Sequence, residues 1–438
     1  MKILVIGSGG REHVLAKKFL ESPRVAKVYC APGNPGMVRD GIQLVDINES
    51  QQELLVEFAK KEKLDFTFVG PELPLFEGIV DVFQQAGLKV YGPNKAAAII
   101  EGSKIFSKYL LKKYAIPTAD YWAFSDFEEA VSFIGQKNQF PIVIKADGLA
   151  AGKGVVIAES YEEACFALKE MLIDEKFGKS GMKVVIEEFL VGEEFSLLAF
   201  VRGEEVYPMV IAQDHKRAYE GDKGPNTGGM GAYSPVPHIK KQVIEEAVEH
   251  IVKPTARAMV REGRSFSGIL YAGLILTSNG PKVIEFNARF GDPETQVILP
   301  RLKSDFATVI YELLTDQQPI IEWEQERFHI GVVVAAKGYP QRYEKDFLIP
   351  ELEWQPDENV YYAGVSSDTL GLVANGGRLF LVEVSGKTLK EAQTRVYNSL
   401  TKLDHKFMFY RTDIGDRALS YYKHTGCDKD GKEKYSGN

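Results

Sequence analysis

Glu285, Asn287 and Arg289 occupy alternate positions of the stretch Val283-Ile284-Glu285-Phe286-Asn287-Ala288-Arg289-Phe290. In an extended chain, side chains two residues apart project to one side, so a carboxylate, a neutral oxygen and a guanidinium come within reach of one ligand. That set suits a magnesium nucleotide. Magnesium takes few protein oxygens and shares the rest with water and phosphates, while a guanidinium pairs with a carboxylate or phosphate. Ile284, Phe286, Ala288 and Phe290 form the face expected to bury. A half-solvated antiparallel strand shows the same alternation. Gly291-Asp292-Pro293-Glu294 then ends the strand in a turn and adds two carboxylates, which turns the reading toward chemistry.

Other segments carry complementary groups. The strand ending in Lys145 leads through Ala146-Asp147-Gly148-Leu149-Ala150-Ala151-Gly152-Lys153-Gly154 into a second strand, Val155–Ala158. This is not a P-loop: the glycine spacing is short, Gly154 stands where Ser or Thr would bind magnesium, and a strand follows instead of a helix. It reads as a Gly-rich flap between antiparallel strands, able to lay backbone N–H groups on a triphosphate; an ordinary hairpin with two solvated lysines is the plainer alternative. Lys104 lies in the middle of a helix expected over Asn94–Tyr114. The acidic link Glu187–Glu194 could offer backbone to an adenine edge and a carboxylate to ribose hydroxyls, or be a charged turn. Asp214-His215-Lys216-Arg217 opens a loop running to Pro235, rich in Gly and ringed by Tyr, Met and Pro. Loops longer than about 15 residues inside a compact domain are usually functional or disordered.

The elements that must position these groups alternate in type. From Met1 to Pro93, strands and helices follow one another, and the strands end in Gly/Pro-rich loops, the pattern of a doubly wound parallel sheet with ligands at the carboxyl ends of its strands. The turn Gly7-Ser8-Gly9-Gly10-Arg11-Glu12 departs from Gly-x-Gly-x-x-Gly, and no acid ends the second strand about 20 residues on, so a nicotinamide site is disfavoured. An anion at the helix N-terminus, with Arg11 assisting, fits better, and a bare tight turn remains open. Gly268–Leu276 and Val283–Phe290 flank Ser278-Asn279-Gly280, a hairpin signal. From about Arg327 the composition shifts, and an α+β unit follows with an amphipathic helix over Thr388–Leu403.

The 438 residues are 45% hydrophobic and 26% charged, which describes a globular chain with ample core material. A net charge of -8 without a basic block argues against nucleic-acid binding. Cys30, Cys165 and Cys427 show no paired spacing, against a disulfide scaffold or zinc site. Met1–Gly7 enters a strand at once, and no stretch is long enough to span a bilayer, so a cytoplasmic enzyme without a membrane partner is expected.

Four stretches, KADGLAAGKGV, DHKRAYEGDKGPNTGGMGAYSP, KVIEFNARFGDPETQ and YRTDIGDRAL, together resemble the glycinamide ribonucleotide synthetase family, ATP-grasp enzymes of purine synthesis. The resemblance implies an α/β architecture: an N-terminal doubly wound parallel-sheet domain (1–102), an ATP-grasp core (103–122 and 191–326) with a small mobile lid lobe (123–190), and a C-terminal α+β domain (327–425). It implies glycine, 5-phosphoribosylamine and ATP as substrates, magnesium or manganese as cofactor, and a monomer. Glu285 and Asn287 resemble the metal ligands. Lys104, Lys145 and the flap glycines and lysine, Gly152, Lys153 and Gly154, resemble the phosphate contacts. Glu187, Leu190 and Glu194 resemble those to adenine and ribose. Arg289 and Asp214 resemble the catalytic holders of glycine, with Gly229 among the backbone donors of the loop. Gly9, Gly10, Arg11 and Glu12 resemble the ribosylamine phosphate site, with Lys337 and Arg411 lining it from the far side. No protein nucleophile is needed, in keeping with the absence of a Ser-His or Cys-His set.

Overall fold

The computed structural model describes residues 1–148, 154–174, 182–403 and 405–425, with side chains to Tyr421. At its start, β1 (Lys2–Gly7), β2 (Lys27–Pro32), β3 (Gln43–Leu44), β4 (Phe66–Val69) and β5 (Val90–Tyr91) form one parallel sheet in the order β3-β2-β1-β4-β5. Its central strand is apolar from Ile3 to Ile6 because both faces are covered. Ile3 and Val5 join a cluster with Phe19 and Phe306, and Leu4 and Ile6 join another with Leu55 and Val80. The doubly wound arrangement is as expected.

The lid is a sheet of β6 (Tyr121–Phe124), β7 (Ile142–Ala146), β8 (Val155–Ala158) and β9 (Val184–Glu188), ordered β6-β9-β7-β8 and antiparallel throughout. Ile142, Ile144, Val184 and Ile186 pack against the helices Phe127–Lys137 and Tyr161–Leu172. With a period of two, Lys145 and Glu187 are left to the opposite face. β7 and β8 flank the flap as predicted; its residues Gly152 and Lys153 lie outside the described residues.

In the core, β10 (Glu193–Arg202) and β11 (Glu205–Pro208) form a hairpin. The segment expected to be a long loop from Asp214 to Pro235 is instead partly ordered into β12 (Gln213–Asp214), β13 (Arg217–Tyr219), β14 (Lys223–Asn226) and β15 (Gly231–Ser234). β16 (Ser267–Thr277) and β17 (Gly280–Asn287) complete a sheet ordered β11-β10-β16-β17. The C-terminal part adds β18 (Phe328–Ala336), β19 (Glu358–Tyr362), the hairpin β20 (Val365–Ser367) and β21 (Leu372–Ala374), β22 (Arg378–Gly386) and β23 (Met408–Phe409). One sheet, β12-β15-β18-β22-β19, crosses the boundary expected near residue 326, since β15 pairs with β18 from Gly231↔Val332 to Ser234↔His329.

Two local expectations need correction. The single helix over Asn94–Tyr114 is two, Lys95–Gly102 and Lys104–Lys113, broken at an extended Ser103. The Ser103 hydroxyl accepts from the Phe106 N–H, and the Asp147 carboxylate accepts from the Ile105 N–H at 3.1 Å. These bonds cap the second helix, so Lys104 is its first residue. The alternation of the Val283–Phe290 stretch also slips. Gly273 pairs with Glu285 but Leu274 pairs with Val283, leaving Ile284 as the extra residue of a bulge. Val283, Phe286, Ala288 and Phe290 are therefore the buried residues, and Ile284 is not among them.

Candidate active site

The bulge has a use. Because Ile284 leaves the ladder, its carbonyl is available to the Lys145 ammonium, which donates to it at 3.0 Å. The neighbouring Val283 carbonyl accepts from the Thr118 hydroxyl at 2.8 Å, and that hydroxyl accepts from Lys108 at 2.8 Å. Lys145 and Lys108 also converge on one buried carboxylate, Glu187, at 3.0 and 2.8 Å. Burial pushes the Lys108 ammonium down to about 8, against the pull of Glu187. The Glu187 side chain is thus committed to the lid root, and it is the backbone of the link through the half-buried Leu190 that lies at the lid's junction with the core. Gly192 is required there, since a Cβ would lie 2.0 Å from the Leu276 carbonyl oxygen.

Across from Lys145, Glu285 projects over Gly273, whose missing side chain leaves it room. Burial alone would raise its carboxyl; the ammonium groups of Lys216, Lys145 and Lys104 and the Arg289 guanidinium outweigh burial and hold it below its ordinary value. Among the described residues no hydrogen bond reaches this carboxylate, so a carboxylate faces four cations with its oxygens uncommitted. Lys104 is anchored by donating to the Gly148 carbonyl at 2.9 Å, at the base of the flap. The Asn287 amide oxygen accepts from Arg289 at 3.2 Å. Among the described residues no group of three or more His, Cys, Asp or Glu could hold a metal alone. A carboxylate and an amide oxygen in a cation-lined cleft fit a hard ion that shares its coordination with phosphate and water.

Arg289 is the hub between this strand and the N-terminal turn. It donates to Glu72 at 3.2 Å and lies 3.1 Å from Glu101, whose other oxygen accepts from the Ala288 N–H at 2.7 Å. Burial raises the Glu101 carboxyl, with Arg289 opposing. Burial would also raise Glu72, but Arg289 and Arg11 hold it at about 2. Arg11 donates to Glu12 at 2.5 Å and to the Phe290 carbonyl at 3.1 Å. Glu12 in turn accepts from the Gly9 N–H at 2.7 Å, capping its own helix Gly10–Leu20. A Cβ at Gly7 or Gly70 would strike the Glu12 side chain at 2.5 or 2.3 Å, so these glycines make its berth. Gly9 and Gly10 lie beside Asp292 and Gln296, which brings the N-terminal turn against the Gly291–Glu294 turn.

Asp214 and Lys216 project to one side of β12 and the residues after it. Burial pushes the Asp214 carboxyl up to about 7, Lys216 opposing and Glu294 and Glu194 adding. Lys216 lies 3.3 Å from Glu194, and Asp214 and Glu285 are among the charges acting on it. Lys216 is not singled out by the sequence reading above; its place two residues beyond Asp214, in the same run, is the signal that could have drawn attention to it. Gly229, at φ +115°, lies against Pro293, where a Cβ would meet the ring at 2.4 Å. Lys104, Lys145, Lys216 and Arg289 thus act together on Glu285, Asn287 is bonded to Arg289, Lys216 links Asp214 and Glu194 to the same group, and Gly9 and Gly229 lie against Asp292 and Pro293. Arg411 is buried with its donors committed to Asp413, Asp222 and the Arg217 carbonyl. Lys337 is exposed and bonds through its backbone to Phe407 and Glu344.

Three stretches match known domain families: residues 1–101 the phosphoribosylglycinamide synthetase N domain, 102–295 its ATP-grasp (A) domain, and 329–417 its C domain. The chain belongs to the phosphoribosylglycinamide synthetase family. It is 58% identical over 420 residues to a phosphoribosylamine–glycine ligase of Listeria innocua, covering 95% of this chain and all of the relative. The crystal structure of a phosphoribosylamine–glycine ligase from Thermotoga maritima superposes with a TM-score of 0.81 at 34% identity, covering 95% of this chain and all of that one. The biotin carboxylase domain of the Hydrogenobacter thermophilus 2-oxoglutarate carboxylase, in complex with MgADP, ADP and bicarbonate, shares the fold with a TM-score of 0.72 at 15% identity, over 97% of this chain and 98% of that one.

Proposed function

We infer that the chain ligates glycine to 5-phosphoribosylamine at the expense of ATP, giving glycinamide ribonucleotide, ADP and phosphate, a step of purine biosynthesis. The observation that carries this reading is the uncommitted Glu285 carboxylate among Lys104, Lys145, Lys216 and Arg289, in a chain aligned end to end with ligases of this activity. A glycine carboxylate and a triphosphate repel, so cations must offset their charge before in-line transfer. Lys104, Lys145 and the flap hold the phosphates. Glu285 and Asn287 would hold magnesium or manganese, which would supply charge neutralisation for the phosphates. Arg289 orients the glycine carboxylate, and Asp214, ionised, takes the glycine ammonium. A carboxylate oxygen of glycine bonds to the γ-phosphorus and the bond to ADP breaks. The amine nitrogen of the ribosylamine then bonds to the carbonyl carbon of glycyl phosphate, phosphate leaves, and the nitrogen loses a proton.

The ribosylamine enters beside Gly9, Gly10 and Gly229, where the N-terminal turn meets the Gly291–Glu294 turn. Glycyl phosphate hydrolyses if wet, and closure of the lid excludes water. The scarcity of cysteine supports a reducing, cytoplasmic setting, and no helix among the described residues is long and apolar enough to cross a membrane. Glycine-dependent ADP release that requires both phosphoribosylamine and Mg²⁺ is the expected assay result; ADP release indifferent to phosphoribosylamine would overturn the reading.

A further inference from the structure

The segment from Asp214 to Gly229 is tethered near both ends by arginines of the C-terminal part. Arg411 donates through Nε and Nη2 to the two oxygens of Asp413, both at 2.7 Å, and through Nη1 to Asp222 and the Arg217 carbonyl, both at 3.0 Å. Asp413 also accepts from the Gly221 N–H at 2.9 Å, and Arg417 pairs with Asp222. The turn of the β13–β14 hairpin is thereby fixed. At the other end, Arg378 donates through Nη1 to the Gly228 carbonyl at 2.9 Å and the Asp292 carbonyl at 3.0 Å, and through Nη2 to the Asp292 carboxylate at 2.9 Å. It spans the tip of this segment and the turn that follows the metal strand. The Gly228 N–H donates to the Tyr339 hydroxyl at 3.0 Å, and β15 pairs with β18 immediately beyond.

We propose that Arg378 and Arg411 are positioning residues for glycine: acting through Gly228, Asp292, Asp222 and the Arg217 carbonyl, they set the segment that carries Asp214 and Gly229. The C-terminal part then contributes to glycine recognition without contacting the nucleotide. A planar guanidinium can bridge two loops with directed bonds where an ammonium acts as a point charge. The inference rests on the reading that Asp214 and Gly229 hold glycine.

The test compares full-length Arg378→Gln, Arg378→Lys, Asp222→Asn and Asp214→Asn, measuring KM for glycine and for ATP, kcat and the thermal midpoint. Arg411 is buried against two carboxylates, so its removal endangers folding; Asp222→Asn loosens the same tether and keeps the Arg411–Asp413 pair. Arg378→Gln is expected to raise KM for glycine about tenfold or more while KM for ATP stays within about twofold, since small misplacements of positioning groups cost one to two orders of magnitude. Arg378→Lys should fall between, and millimolar methylguanidinium should partly restore Arg378→Gln. If Asp214→Asn raises KM for glycine and the Arg378 and Asp222 variants do not, the proposal is overturned and the glycine reading stands. If none of the variants moves it, both fall. Equal losses for glycine and ATP with a lowered thermal midpoint would make the tether merely structural and overturn the proposal.

Discussion

On the lid wall of the cleft, Lys145 and Lys108 meet Glu187 at 3.0 and 2.8 Å, and all three side chains are buried. On the core wall, Glu285 lies under the field of Lys104, Lys145, Lys216 and Arg289, with no hydrogen bond to its carboxylate among the described residues. The first is an ion-paired set in which two buried ammonium groups share one carboxylate, leaving one positive charge in excess. The second has charge in place and coordination left over. Lys145 belongs to both, reaching the Ile284 carbonyl of the core strand as well as Glu187. The contrast separates residues paired with one another at the lid root from a carboxylate held by the field of surrounding cations.

The largest way to break this contrast is Glu285→Ala. Turnover is expected to fall by about 10²–10³-fold, the scale of losing a directed electrostatic contact, with a nearly unchanged thermal midpoint; full metal-dependent activity would remove the metal assignment. Glu187→Gln should act in the opposite sense, costing about 3–5 kcal/mol of stability because two buried ammonium groups lose their partner. Chemical denaturation reads this directly, and an unaltered midpoint would mean that the lid root does not depend on the pair. Lys145→Ala straddles the two sets, leaving Glu187 its bond to Lys108. It should raise KM for ATP by about tenfold, which is about 1.4 kcal/mol, and unchanged ATP kinetics would count against the phosphate role. The smallest effect concerns pH. The Asp214 carboxyl is pushed up to about 7, so the ionised form that takes an ammonium is lost as pH falls through that value. KM for glycine should rise from pH 8 to pH 6, by less than about tenfold per pH unit. Asp214→Asn should abolish the dependence; a profile that persists in that variant belongs to another group.

How far each wall could be read from sequence follows from the kind of order involved. The N-terminal strands were legible because short apolar runs bounded by Gly and Pro report burial on both faces. Glu285, Asn287 and Arg289 were legible as a same-side row, but the bulge at Ile284 was not, since a slip in pairing leaves no trace in the alternation of one strand. The break at Ser103 had a signal, a Gly followed by a capping Ser, which a long helical pattern overrode. Arg378 and Arg411 had none. A lone arginine in a strand or loop does not announce partners that are distant in sequence, and Arg411 was placed by resemblance near a substrate phosphate. Its commitment to Asp222 and Asp413 appears only once the chain is folded.

The ladder between β15 and β18 also bears on how this molecule can be taken apart. A fragment stopping just before Arg327 would keep Gly231–Ser234 paired with β12 but lose its β18 neighbour, and the complementary fragment would begin with a nine-residue strand unpaired on one side from His329 to Val332, with β23 holding only its end. Unpaired edges of that kind recruit other chains. Neither piece is a self-sufficient module, and co-expression of the two halves would restore a native particle only where this seam re-forms.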